Sequence, residues 1–240
     1  MSPLRKTALA AGVLYLLTFV SIPSPFFLYD QVRNNREYIL GAGPDTPVFF
    51  GAILEIIVAL AGIGTAVALY PVLKRQNEGA ALGLVGARVV ESAGILAGVA
   101  CLLAIVSLRQ AGAGPGALAT GQTLALLYGR IFLLSQSLMP IVCVLLLGVL
   151  LYRSRLVPRV LPLLALVGAP LLLVGDLGAL FNVWGSTSSV TGILTLPVAV
   201  FEFSLGVWLV VKGFNAAASA PGPVTVAEGA PQAAVAASRG

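Results

Sequence analysis

The sequence predicts an all-α fold: a six-transmembrane-helix bundle with both termini cytoplasmic and a disordered C-terminal tail. Three observations predict it. Hydrophobic residues make up 58% of the 240 and charged residues only 10%, with a mean hydropathy of +1.00, whereas soluble domains carry roughly 25% charged residues. Apolar runs longer than the roughly 20 residues needed to cross a hydrocarbon core of about 30 Å recur six times. Basic residues alternate between connections: Arg5, Lys6, Lys74, Arg75, Arg153, Arg155, Arg159 and Lys212 fall on one side, against Arg33, Arg36 and Arg109 on the other. The positive-inside rule places the first set in the cytoplasm.

The same distribution explains the formal net charge of +5 and the pI near 9.6. The basic residues flank apolar runs, so they are topology signals and exclude a nucleic-acid footprint. The expected partner is the lipid bilayer of the cell (cytoplasmic) membrane; a protein partner or a small solute is left open.

The first span, about 7–29, follows a short basic lead and is too long for the apolar part of a signal peptide. Pro23 and Pro25 predict a kink or end near Ser21 to Ser24, and the cluster Phe26, Phe27 and Tyr29 marks the bilayer interface. A polar connection over 30–46 lets Tyr38, Ile39 and Leu40 lie along the membrane surface. The second span, 47–70, carries Glu55. The third, 80–108, carries Arg88 and Glu91, together with Gly79, Gly83, Ala87, Gly94 and Gly98 at small-xxx-small spacing, which brings neighbouring backbones close.

A Gly/Ala-rich loop is expected over 109–122, followed by the fourth span, 123–152, with Arg130, the polar group Ser135, Gln136 and Ser137, and Pro140 as a kink. The fifth span, 160–184, carries Asp176 and the sixth, 190–211, carries Glu202; Trp184 and Trp208 read as interfacial anchors. The span domain covers 1–214, and the Ala, Gly, Pro and Ser-rich tail 215–240 is too poor in apolar bulk to bury a core.

Six ionisable residues fall within the spans, and each costs about 2.5 to 3.5 kcal/mol at a helix centre, so they should face one another or water. At a rise of about 1.5 Å per residue, Glu55, Arg130 and Asp176 come out in the outer half, and Arg88, Glu91 and Glu202 in the inner half or near the middle. Arg88 and Glu91, three apart, share a helix face that can meet Glu202. Arg130 is expected to serve Glu55 and Asp176, with Ser137 near the same face. Two arginines cannot neutralise four carboxylates, so at least two acids should be protonated, hydrated in a cavity or matched by a cation. Ser135, Gln136 and Ser137 are candidates to line that cavity, although serines in helices commonly bond backbone carbonyls.

Several chemistries are excluded. The chain has no histidine, which removes the usual zinc ligand and the base of a Ser-His-Asp triad. Cys101 and Cys143 sit inside apolar runs as small hydrophobes. The glycines of 112–116 lack the strand, Lys and Ser or Thr of a phosphate loop. No cofactor, metal or catalytic residue is therefore expected. The leading functional reading is a non-enzymatic membrane protein, a small transporter or an accessory protein, with Arg88, Glu91 and Glu202 at its core. The alternative is an intramembrane enzyme using Glu91 and Glu202 as an acid–base pair on a lipid-like substrate.

Three stretches, ALYPVLKRQNEGAALGLVGARVVES, LLLGVLLYRSRLVPRVLPLLALVGAPLLLVGD and EFSLGVWLVVKG, resemble a bacterial family of uncharacterised multi-pass membrane proteins, domain of unknown function 4386. The most specific part is Tyr-Arg-Ser followed by Val-Pro-Arg after span four; Leu161-Pro162 departs from the Leu-Gly pair frequent in such proteins. The resemblance implies a multi-pass helical fold and brings no activity.

Overall fold

A computed structural model describes residues 1–19, 27–35, 37–41, 43–112, 114, 116–185 and 188–215. Helices are α1 Pro3–Phe19, α2 Asp30–Asn34, α3 Thr46–Leu73, α4 Glu78–Gln110, α5 Ala117–Phe132, α6 Met139–Ser154, α7 Val160–Leu180 and α8 Ser189–Val211. A 3-10 turn spans Tyr38–Leu40, and a π-helical segment, Leu133–Leu138, joins α5 and α6 into one continuous 38-residue helix. No strand occurs among the described residues. Among the described residues, five helices are long and apolar enough to cross a membrane: α3, α4, α5 through α6, α7 and α8. The chain is a multi-pass membrane protein.

The long helices close a ring. α1 packs on α3, α3 on α4, α4 on α5 and α6, α6 on α7, α7 on α8, and α8 returns to α1. Outward-facing residues are apolar: Leu60, Val67, Leu82, Val167, Ile193 and Leu196 are each more than half exposed. A soluble bundle would bury such residues. Here the lipid solvates them, and the interior holds the polar groups instead.

Two apolar clusters fix the two ends of the ring. At one end Leu73, Ala81, Leu84, Leu151, Leu156 and Val157 pack together with Phe214. The basic connections lie here, and Arg5 ties the ends of the chain together by donating to the last carbonyls of α8, those of Leu209, Val210 and Val211. Those carbonyls have no partner within the helix, and a cation suits the negative end of its dipole. Asn215 bonds the Leu156 and Arg155 backbone at the same end. At the opposite end Tyr29, Val32, Tyr38, Ile39, Val48, Leu102 and Tyr128 form the second cluster.

Several boundaries differ from the sequence expectations. The loop expected over 109–122 shrinks to 111–116, because α4 continues to Gln110 and α5 already begins at Ala117. Alanine-rich sequence sustains a helix when packing supports it, and here a Cβ on Gly121 would sit 2.8 Å from the Ile39 side chain, so α5 needs that first turn to close on the 3-10 segment. Tyr38 and Ile39 are buried in protein, 4% and 3% exposed, and only Leu40 faces outward. The fifth span ends at Leu180, and Trp184 folds back to donate to the Gly175 carbonyl at 3.0 Å. α1 is helical from Pro3 to Phe19. The expected kink at Ser21 to Ser24 with Pro23 and Pro25, Phe26, Arg36 and the tail from 216 lie outside the described residues.

Small residues act where helices come closest. A Cβ on Gly94 of α4 would lie 2.3 Å from the Ser135 Cβ, so α4 meets the π segment only because Gly94 has no side chain. Gly79 and Gly83, on the same expected stripe, make no such close approach.

Candidate functional site

α4 presents Arg88 and Glu91 one turn apart on its inward face, and both are 7% exposed. One guanidinium nitrogen of Arg88 donates to both Glu91 oxygens at 3.0 Å, and the other crosses to Glu202 Oε1 on α8 at 2.8 Å. The Tyr15 ring of α1 lies under the guanidinium at 5.9 Å, and the Cys143 thiol of α6 donates to Glu91 at 3.5 Å. Four helices therefore converge on one cation. Its Nε alone has no acceptor.

Further along α3 and α7, the chemistry changes. Glu55, 2% exposed, accepts from the Tyr128 hydroxyl at 3.2 Å, the Gln136 amide at 3.2 Å and the Tyr29 hydroxyl at 3.4 Å. The two phenol rings meet edge to face, with centroids 5.7 Å apart. Asp176 on α7, 1% exposed, has the Ser137 hydroxyl beside it, and its Oδ2 has no donor among the described residues. No salt bridge reaches either acid among the described residues.

Both layers open into a single cavity of about 340 Å³, to which every helix of the ring contributes. Its charged lining is Glu55, Arg88, Glu91, Asp176 and Glu202. The cavity wall thus carries four carboxylates and one arginine.

Arg130 does not join them. Its side chain is exposed and makes no ion pair among the described residues. The physical reason is helical phase: Tyr128 takes the inward position on that turn and reaches Glu55, which leaves Arg130, two residues on, facing outward.

Of the polar trio on the π segment, Gln136 and Ser137 line the cavity. Ser135 instead packs on Gly94 and donates to the Ile131 carbonyl at 2.8 Å. A π turn adds one residue to the helical circuit and rotates the succeeding turns, which is how adjacent Gln136 and Ser137 reach two different acids. Pro140 also lines the cavity, just past this turn.

Sequence reasoning missed Tyr15, Tyr29 and Tyr128, and also Ser92, Thr191 and Thr195 on the cavity wall. A signal for the tyrosines existed: a phenol in an apolar run needs a polar partner, and buried acids are the natural one. Ser92 and Thr195 bond helix carbonyls at 2.8 Å as well as facing the cavity, which sequence alone does not separate.

At the mouth of the opposite end, Asp45 gathers a polar cap. It accepts from Arg109, from Gln110 at 2.9 Å and from the Tyr38 hydroxyl at 2.9 Å, and the Arg109 guanidinium stacks 4.5 Å from the Tyr38 ring. Burial pushes the Asp45 carboxyl up, but the bonds from Gln110, Arg109 and Tyr38 more than offset it and hold it below the usual carboxylate range. Burial, then the bond to Asp45, pushes the Tyr38 phenol up to about 12.

Among the described residues no three His, Cys, Asp or Glu side chains converge closely enough to hold a metal ion. The site is a chamber of mainly apolar wall into which five charged side chains are set. No curated protein and no solved structure matches the chain. Residues 10–213, nearly all of the described chain, match the family described as "Domain of unknown function (DUF4386)", and the chain belongs to that family of uncharacterised membrane proteins.

Proposed function

We propose that this protein is a small transporter of the cell membrane, in which the ring of helices surrounds a solute-binding chamber and the chamber carboxylates exchange protons for solute. One observation carries the reading: five intramembrane ionisable side chains, from four different helices, line a common cavity with an excess of acids over cations. A bundle that used its charges only as glue would close them into pairs and leave no shared volume. Intramembrane acids facing a cavity are the usual elements of proton-coupled pathways.

The ring also supports six crossings. α1 is about 25 Å long at 1.5 Å per residue over its 17 residues, and it packs along α3 and α8 as a full member. With the basic end cytoplasmic, a cysteine placed at Arg155 should react with a membrane-impermeant maleimide only in opened cells. One placed at Asn34 should react in intact cells. The reverse pattern overturns the orientation.

The enzyme reading has no comparable support, since both Glu91 oxygens and Glu202 Oε1 are engaged by Arg88 and form no free acid–base pair. Proteoliposomes that report internal pH, given a pH gradient and then a series of small amines, alcohols and carboxylates, test transport. Protein-dependent movement of protons or solute is expected. No movement from folded protein, with Glu91→Gln and Glu202→Gln indistinguishable from wild type, removes the proposal.

A further inference from the structure

The two halves of the chamber differ in what they lack. In the Arg88 half the guanidinium already serves both acids. In the other half, Glu55 accepts its hydrogen bonds from neutral donors, with the Arg33 charge acting on it only through space, and Asp176, 99% buried, leaves Oδ2 without a donor among the described residues. Carboxyl oxygens with free lone pairs in a low-dielectric site call for a donor that carries positive charge. Among the described residues no third acid, histidine or cysteine joins these two as a metal-ligand set.

The rest of the wall there suits an organic cation. Gln136, Ser137 and Thr195 stand at the level of the two acids, while Phe19, Phe132 and Leu172 supply apolar and aromatic surface. Aromatic faces and carboxylates together are the ordinary recognition set for an ammonium group. A volume of about 340 Å³ is near the lower bound of small-ligand sites, which hold roughly 300–1,000 Å³.

We propose that the Glu55–Asp176 half of the chamber binds the ammonium group of a small organic amine, whose apolar body lies against Phe19, Phe132 and Leu172. Asp176 accepts the first N–H bond through its open oxygen, and Glu55 accepts another from the opposite wall. This rests on the chamber being a solute site, as proposed above, and names the class of solute.

Equilibrium binding tests it without requiring transport. The full-length protein in lipid nanodiscs at neutral pH is titrated with phenethylammonium, with 2-phenylethanol as its neutral counterpart and with 3-phenylpropionate as an anionic one, following both heat of binding and thermal unfolding. Phenethylammonium should bind at least about tenfold more tightly than either counterpart, the step expected of one charge-assisted bond. Asp176→Asn should lose that preference, whereas Asp45→Asn, outside the chamber, should keep it. Equal binding of the alcohol, tighter binding of the carboxylate or no binding of any probe to wild-type protein overturns the proposal, and these wild-type comparisons stand even if Asp176→Asn does not fold. Amine binding with no flux in proteoliposomes removes transport and leaves the ligand class; flux with no amine preference does the opposite.

Discussion

Glu91 and Glu202 close on one guanidinium, whereas Glu55 is held by two phenols and an amide, and Asp176 has a serine hydroxyl on one side and nothing on the other. Both layers line the same cavity, and all four acids come from the same ring. The difference lies in reversibility. A carboxylate locked to a buried arginine cannot be released without leaving that cation bare, so the Arg88 layer is suited to hold α4 and α8 in register. Neutral donors reorient at little cost, so the Glu55 layer can gain or lose a charge while the helices stay in place.

The strongest way to break this contrast is Arg88→Met. It leaves Glu91 and Glu202 facing each other without their cation and should cost about 3–5 kcal/mol, measured as thermal unfolding in detergent. Replacing Arg88, Glu91 and Glu202 together by Met should restore most of the loss, since well-packed apolar groups replace buried ion pairs with little penalty. A stable Arg88→Met single variant would show that the layer holds nothing together.

Gly94→Ala probes the seam between the layers. The new methyl would meet the Ser135 Cβ at 2.3 Å, forcing α4 off the π segment at about 1–3 kcal/mol. Ser135→Gly should recover part of this, and no recovery would place the strain elsewhere. Tyr128→Phe, which removes one donor from Glu55, should cost only about 1 kcal/mol. A loss as large as that of Arg88→Met would mean that the Glu55 layer is as rigidly ionic as the other.

The smallest effect belongs to the cap. Asp45→Asn weakens a partly exposed set of bonds and should cost roughly 0.2–1 kcal/mol, diminishing in high salt. Because the folded protein holds the Asp45 carboxyl below its ordinary value, near 3.9, the stability it adds is complete above that value. It is lost as pH falls through the lower, folded-state value, and Asp45→Asn should flatten that part of a pH–stability curve.

Legibility in the sequence followed the range of the interaction. Arg88 and Glu91 are three residues apart and share a helix face by geometry alone, and Glu202 was within reach by depth. Arg130 departs from expectation because residue spacing from a start at Thr123 does not fix which way a side chain faces on a helix that begins at Ala117 and runs to Ser154. The π segment was invisible for a related reason: a single inserted residue breaks the regular period on which face assignments depend. The tyrosine donors to Glu55 come from residues 29 and 128, and only the closing of the ring brings them together.

Arg88 has one partner three residues away and another 114 residues away, and that asymmetry matters during synthesis. A ribosome adding about 5–20 residues per second takes on the order of 6 to 23 s to go from Arg88 to Glu202. Throughout that interval Glu91, on the same helix, is the one ion-pair partner of Arg88 already synthesised. The local pair can therefore form before the shared centre, which needs the last helix.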